Sequence, residues 1–270
     1  VRELDVINEI LAEASAMLLA EGARADGPRG AGSKMPVDDE IETLFKARLW
    51  DAFPDDEVYA EEQEARPGRS GRAWVIDPHD GTSDFLIGRR ETSISVALVE
   101  DDRFLMAAVC APYPHPLLGP AGLAVTWALG EPLRVNGAPY TPPPAPDDFD
   151  DPGMLALVSA RISEEKFARD EALFHPARVA RCSSVATRWM LVAAGRADVG
   201  LTILNALAPW DFAGGQALLQ AVGGALVDHE GHPIAWSKNR PLLSPRRGYF
   251  GARSLALAQA AARRYAHLTG

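Results

Sequence analysis

The stretch PYTPPPAPDDFDDP, residues 139–152, divides the chain more sharply than any other feature. Proline fixes φ and offers no backbone donor, and the acids that follow have little apolar company, so a stiff, solvated linker is expected. The hydrophobic pattern differs on its two sides. Ahead of it come two helical stripes, Leu4, Ile7, Leu11, Ala14 and Leu18, then Ile41, Leu44, Phe45 and Leu49. Strand-like runs follow at 58–60, 73–76, 92–99, 104–111, 123–129 and 133–135, with turns at Asp101-Asp102 and Asn136-Gly137. Beyond the linker, strand patterns at 155–158, 178–182, 199–204 and 225–228 alternate with helical ones at 163–173, 184–194, 210–221 and 255–265. The pattern predicts a helix-plus-antiparallel-sheet half, 1–138, joined through 139–152 to an α/β half, 153–270, as one integrated unit of mixed α+β and α/β class. Residues 22–36, mostly Gly, Pro and Arg, read as a mobile loop.

Composition narrows the function. With 270 residues, 47% hydrophobic and 24% charged, the chain can bury a full core, which excludes disorder, coiled coil and collagen. Its 27 basic and 37 acidic side chains leave a net charge of −10, which argues against a nucleic-acid polymer as partner. A small anionic substrate would need a cation to offset those carboxylates. Two cysteines, Cys110 and Cys182, exclude a disulfide framework and an all-cysteine zinc site, and both read as inert core thiols. His115, His175, His229, His232 and His267 show no ligand spacing. No apolar run approaches the ~18 residues of a membrane span. Val1-Arg2-Glu3-Leu4-Asp5 places charges where a signal peptide needs apolar residues, so no membrane and a cytoplasmic location are expected.

The densest chemical signal is Trp74-Val75-Ile76-Asp77-Pro78-His79-Asp80-Gly81-Thr82. An apolar strand ends by presenting two carboxylates three residues apart, with Pro78 fixing the backbone between them. Gly81 removes the side chain where main chain would have to approach a ligand closely. N–H groups of Thr82 and Ser83 could receive a phosphate if a helix starts there. Hard oxygen ligands beside such amides suit divalent cations bridged to phosphate. Asp-Pro and Asp-Gly are ordinary turn vocabulary, and a lone pair of them would mean little. Five fixed positions together occur by chance in a chain of this length only about once in 10⁴.

Asp77-Pro78-x-Asp80-Gly81-Thr82 resembles the metal-binding signature of the inositol monophosphatase family, the magnesium-dependent, lithium-sensitive phosphatases. Three further marks stand in the family's order. Asp38-x-x-Ile41-Glu42 and Ala60-Glu61-Glu62 lie upstream, the latter with Ala where the family has Gly. Pro209-Trp210-Asp211-Phe212-Ala213-Gly214-Gly215 lies downstream, followed by Val222-Gly223-Gly224-Ala225. The resemblance spans residues 38–224 and implies a layered αβαβα sandwich, a homodimer, and hydrolysis of a small phosphorylated metabolite. It implies that Glu61, Asp77 and the carbonyl of His79 hold one magnesium, and that Asp77, Asp80 and Asp211 hold a second. A third ion is optional, and manganese is a conceivable substitute. Thr82 and Asp38 would position and deprotonate the attacking water, while the N–H groups of Gly81, Thr82 and Ser83 receive the phosphate. Each acid also has a plainer reading. Asp39-x-x-Glu42 has capping-box spacing, so Asp38 or Asp39 alone reads as an N-cap, and so does Asp211. The His79 imidazole is expected to point into the mouth of the site without being a ligand. Arg89 and Arg90 read as solvated surface, with a substrate contact the alternative.

Departures from the family pattern bear on substrate. Inositol-hydrolysing members carry a Glu six residues before the Trp, where this chain has Leu204. An apolar side chain there penalises an unpaired ring hydroxyl, so inositol phosphate is demoted. Bisphosphate nucleotidases and histidinol-phosphate phosphatases commonly have Lys after Gly-Thr, where this chain reads Ser83-Asp84-Phe85. Those two remain the alternatives within the enzyme class, and a non-catalytic phosphosugar-binding regulator is the alternative outside it. Ser183 and Ser184 align with the segment that meets the alcohol in relatives, and Asp84 offers another acceptor at the mouth. The expected substrate is a sugar, cyclitol or polyol phosphate.

Overall fold

The structure is a computed structural model that describes residues 1–146, 148–203, 206–238, 242–243 and 248–266. Leu204 and His267 lie outside the described residues. Helices α1 (Arg2–Gly22) and α2 (Pro36–Ala52) come first, each burying the stripe its periodicity predicts. Proline at the first position starts α2. The helix therefore begins ahead of the capping-box spacing, and Asp38 and Asp39 lie inside its first turn instead of capping it.

Strands β1 (Glu57–Ala60) and β2 (Arg72–Asp80) follow, then the short helix α3 (Thr82–Leu86). Next come β3 (Ser93–Glu100), β4 (Arg103–Ala111), β5 (Leu123–Ala128), β6 (Arg134–Val135) and β7 (Ala138–Pro139). These seven strands form one sheet in sequence order, with β1 and β2 parallel and the other neighbours antiparallel. Asn136 and Gly137, both at positive φ, make the expected tight turn between β6 and β7.

The second half supplies β8 (Leu155–Ser159), α4 (Glu164–Phe174), β9 (Arg178–Cys182), α5 (Val185–Ala193), β10 (Val199–Thr202) and β11 (Ala206–Leu207). It ends with α6 (Pro209–Ala221), β12 (Ala225–Val227), β13 (Leu242–Leu243), β14 (Tyr249–Ala252) and α7 (Leu255–Ala266). Five of these strands pair in the order β12-β14-β10-β8-β9, parallel between β10, β8 and β9, and β11 pairs with β13 apart from them. Ser163 and Ser184 cap α4 and α5, each accepting from the N–H three residues on.

Alternation along the strands builds the layers. In β2, Trp74 and Ile76 face α1 and α2, whereas Ala73 and Val75 face α5 and α6. The same two-faced division holds for Val96 and Ala97 in β3 and for Ala108 and Val109 in β4. Leu157 of β8 points toward α5 and α6, while Ala156 and Val158 point toward α4 and α7. Both sheets are thus covered on two faces, which is why their strands read as nearly continuous apolar runs. The order is helix pair, sheet, helix pair, sheet, helix pair: an αβαβα sandwich. Among the described residues no helix is long and apolar enough to cross a membrane.

One expected boundary moves. β2 does not stop at Asp77 but continues through Pro78 to Asp80. Asp77 pairs with Ser95 and Asp80 with Ser93, so one strand has an extra residue at this point. A bulge is one of the few places where a sheet tolerates proline, and it turns both aspartates toward the end of the sheet. Residues 22–36 are also less loose than their composition suggests. The Arg29 guanidinium bridges Glu21 of α1 and Glu40 of α2, at 2.6 and 2.9 Å.

Candidate metal and phosphate site

The bulge opens onto a cavity of about 240 Å³, lined by Glu61, Asp77, Asp80, Gly81, Thr82, Ser83 and Asp211, with Ser33 and Arg161 at its edge. Glu61, Asp77, Asp80 and Asp211 come from three separated stretches of chain: the residue after β1, the bulged end of β2, and the first turn of α6; a further acid, Asp84, lines the cavity from the short helix after Gly81. Asp77 is 1% exposed and its Oδ1 accepts from the N–H of His79 at 2.9 Å. Asp80 Oδ2 accepts from Ser184 Oγ at 2.7 Å and from the Ala186 N–H at 2.6 Å. Asp211 is the third helical residue of α6, not its cap, and it reaches back to the Ala208 N–H at 2.7 Å. In each aspartate, partners take up one oxygen, and the other is not spent in those bonds.

The electrostatics are those of crowded like charges. Burial and the neighbouring Asp211, Glu62 and Asp80 raise the Glu61 carboxyl to about 8, while its contact with Asp77 acts the other way. Burial, then Asp80, raises Asp211 to about 7. Burial with Glu61, Asp80 and Asp211 nearby pushes Asp77 well up. Asp80 is raised by burial, against the hydrogen bonds from Ser184 and Ala186 and the nearby Arg188 charge. Arg188, itself 1% exposed, donates to the Cys182 carbonyl and to Thr202 Oγ1. No three of these acids bring ligand oxygens within 4.8 Å of one another. An all-oxygen donor set whose charged forms repel one another is the chemistry that a hard divalent cation satisfies. The residues present therefore fit magnesium.

Thr82 opens α3 immediately after Gly81, which stands at φ 101°. A Cβ at Gly81 would lie 2.8 Å from Thr92 Cγ2, so both the backbone angle and the space require glycine. The first N–H groups of a helix have no partner within it, which leaves those of Thr82 and Ser83 directed outward beside the acids. Thr82 Oγ1 lies 2.8 Å from the His79 carbonyl oxygen and 3.1 Å from Asp38 Oδ2.

Several expected side chains are placed differently from the sequence reading. The His79 ring does not point into the mouth. It is 1% exposed, lies 2.9 Å from Asp38 Oδ1 and 3.2 Å from Thr92 Oγ1, and leaves its backbone to line the cavity. Ser184 is fully buried, its hydroxyl spent on Asp80, Ser93 and the Thr187 N–H, so it supports an acid instead of facing an alcohol. Asp84 lines the cavity as a buried acid; Arg89 at 2.6 Å and Arg161 at 3.4 Å both meet its Oδ1, so its Oδ2 is not spent in those pairs. Arg90 neither floats in solvent nor meets the cavity: it stacks over Phe85, 4.4 Å from the ring centre. Ser183 does line the cavity, with a buried hydroxyl that makes no hydrogen bond among the described residues.

Sequence reasoning gave no role to Arg161 or Lys46 and read Glu42 only as part of a motif, yet all three matter here. Arg161 brings positive charge to the rim, where a second cavity of about 410 Å³ begins, sharing Ser159 and Arg161 with the first. Glu42 is fully buried and accepts from the N–H groups of Glu62 and Gln63 at 2.7 and 2.9 Å, which fixes the chain just after Glu61. Lys46, also buried, neutralises Glu42 at 2.7 Å. The i,i+4 spacing of Glu42 and Lys46 was a legible signal for that pair.

Comparison with known proteins follows the geometry. The profile of the inositol monophosphatase family matches residues 6–265. The chain is 28% identical over 218 residues to the inositol-1-monophosphatase of Bacillus subtilis, covering 77% of each protein. It is 27% identical over 202 residues to the histidinol-phosphatase of Chlorobaculum parvum, covering 72% of each. Its fold superposes on the inositol monophosphatase of Anabaena with a TM-score of 0.74 at 18% identity, over 98% of this chain and 95% of that one.

Proposed function

Because the chain belongs to the inositol monophosphatase family, a family of metal-dependent phosphoric monoester hydrolases, we propose that its acidic cavity hydrolyses a small sugar, cyclitol or polyol phosphate. Glu61, Asp77 and the His79 carbonyl would hold one magnesium, and Asp77, Asp80 and Asp211 a second; a third ion and manganese substitution are compatible with the donor set. Bound there, the cations supply the charge that offsets the carboxylates, attracts the phosphate and stabilises charge developing on the phosphoryl oxygens.

The chain's own groups do the rest. N–H groups of Gly81, Thr82 and Ser83 hold the phosphate at the start of α3. Thr82 gives its single hydrogen toward Asp38 Oδ2 and the His79 carbonyl, so its oxygen is left to accept from the attacking water. Asp38, 1% exposed, then receives the proton that leaves that water. As the water oxygen bonds to phosphorus the ester P–O bond breaks, and the leaving oxygen takes a proton from solvent and departs as the alcohol toward Ser183 and Arg161 and the second cavity beside them. We read the protein as a homodimer, which the resemblance implies, and as cytoplasmic, in keeping with its bacterial relatives.

The observation that carries this proposal is the convergence of Glu61, Asp77, Asp80 and Asp211 on the cavity where α3 begins. Phosphate release across sugar, cyclitol, nucleotide and histidinol phosphates tests it, with Mg²⁺, with EDTA, and with Mg²⁺ plus Li⁺. The expected result is Mg²⁺-dependent release, inhibited by Li⁺ and abolished in Asp80→Asn, with the best kcat/KM naming the alcohol. No release from any compound, with magnesium still bound, would overturn it in favour of a phosphosugar-binding regulator.

A further inference from the structure

In the reading above His79 contributes only its carbonyl, yet its side chain is among the most closely held in the molecule. The ring is buried between α2, α3 and the residue preceding β3. Nδ1 lies 2.9 Å from Asp38 Oδ1, Nε2 lies 3.2 Å from Thr92 Oγ1, and the Phe85 ring meets it edge-on at 4.9 Å. We propose that His79 is a positioning residue whose imidazole fixes the Asp38 carboxylate in the orientation that presents its other oxygen to Thr82.

The partners determine the direction of each bond. A carboxylate only accepts, so the hydrogen of a neutral ring sits on Nδ1 and is donated to Asp38 Oδ1. Nε2 is then the acceptor, and Thr92 Oγ1 donates to it. Thr92 is itself fully buried and cannot swing away, because its methyl group is packed under Gly81. A chain therefore runs Thr92, His79, Asp38, Thr82, each member fixed by the one before it. Asp38 Oδ1 faces His79 and Oδ2 faces Thr82. Without the imidazole, only the 3.1 Å bond from Thr82 would hold the carboxylate, which could then rotate about Cβ–Cγ. Substitution at 79 keeps the backbone carbonyl and the N–H that bonds Asp77, so the expected loss falls on the chemical step.

The inference rests on the hydrolase reading for its consequence, but its geometry can be tested without turnover. Nitrogen-selective NMR of the metal-free protein at neutral pH should show His79 with a protonated Nδ1 and an unprotonated Nε2. The opposite tautomer overturns the proposal. In Thr92→Val, Asp38 should keep the proton on Nδ1, while the Nε2 resonance shifts because it has lost its donor; an unchanged Nε2 resonance counts against the relay. In the Mg²⁺-loaded enzyme, His79→Leu should lower kcat roughly ten- to a hundredfold, with KM and the Mg²⁺ dependence within about twofold. His79→Asn puts a donor where Nδ1 was and should recover most of kcat. A Leu variant as fast as the parent overturns the proposal, as does a folded Asn variant as slow as Leu, which would mean that ring volume alone matters. Should the Leu variant not fold, the Asn variant and the spectra decide. Should the parent release no phosphate, the hydrolase reading fails while the tautomer still reports whether His79 holds Asp38.

Discussion

Replacing Ser184 with alanine isolates the support of a single acid. The Ser184 hydroxyl has one hydrogen, which goes to Asp80 Oδ2 at 2.7 Å. Its lone pairs accept from the Thr187 N–H at 2.8 Å and from Ser93 Oγ at 3.0 Å. Alanine uncaps α5, which costs about 1 kcal/mol. It also removes a bond to a charged acceptor, a further ~1.5–3 kcal/mol. Because one hydroxyl serves all three partners, these costs overlap, and a total of about 2–4 kcal/mol is expected. In a chain of this size that lowers the melting temperature by roughly 5–15 °C. Asp80 retains the Ala186 N–H at 2.6 Å, so the site should survive with a weaker affinity for Mg²⁺, since the Ser184 bond favours the charged carboxylate. Urea unfolding and a Mg²⁺ titration check both expectations. An unchanged melting temperature and Mg²⁺ dependence, combined with a raised KM, would place the hydroxyl in the substrate cavity and refute this reasoning.

Other expectations follow from the same contacts. Ser183→Ala should leave stability within about 0.5 kcal/mol and raise KM, because that hydroxyl makes no bond among the described residues; equal KM values would remove Ser183 from the substrate site. Glu61 and Asp211, raised to about 8 and about 7, hold more protons folded than unfolded, so their contribution is full below the ordinary carboxylate range and is lost as pH rises through the raised values. In EDTA the melting temperature should therefore fall between about pH 5 and pH 8.5, and Mg²⁺ should cancel that fall while binding more tightly at the upper end; a flat EDTA profile speaks against the repulsive cluster. Glu42→Ala strands buried Lys46 and should cost about 3–5 kcal/mol in urea, weakening Mg²⁺ binding through the chain beside Glu61. Gly214→Ala drives a methyl onto the buried Ser95 Oγ, with Val109 Cγ2 at 3.2 Å and the Val96 carbonyl at 3.3 Å beyond it, and should cost about 1–3 kcal/mol; a variant as stable as the parent would show that α6 can shift on the sheet.

How much of this is legible in the sequence depends on the range of the interaction. Periodicities of 3.6 and 2 report which face is buried, so α1, the β3–β4 hairpin and the alternating second half can be read directly from their apolar positions. The residues Asp77, Asp80, Gly81 and Thr82 are legible because their chemistry is carried by neighbours in the chain. Glycine at 214 and 215 is visible but unexplained until the packing is known: Gly214 lets α6 approach β3 and β4, and Gly215 lets it approach Trp189 on α5. The start of α2 was obscured by Asp39 and Glu42, whose capping spacing mimics a helix start that Pro36 had already made.

By itself the sequence determined the longer elements, the chemical class of the site and the acids that line it, because local pattern and short motifs encode these; the short α3, β11, β13 and β14 carry too little pattern to be read and came only with the structure. The tertiary structure alone decided where the side chains point. Ser183 and Ser184 are adjacent in sequence, yet one hydroxyl faces the cavity wall and the other is consumed by Asp80, Ser93 and a helix cap. His79 sits in the middle of the most readable motif, and its ring turns inward because partners 41 and 13 residues away, Asp38 and Thr92, meet it there. A buried polar group takes its direction from whichever donors and acceptors the packed layers bring within about 3 Å, and no local pattern records which those are.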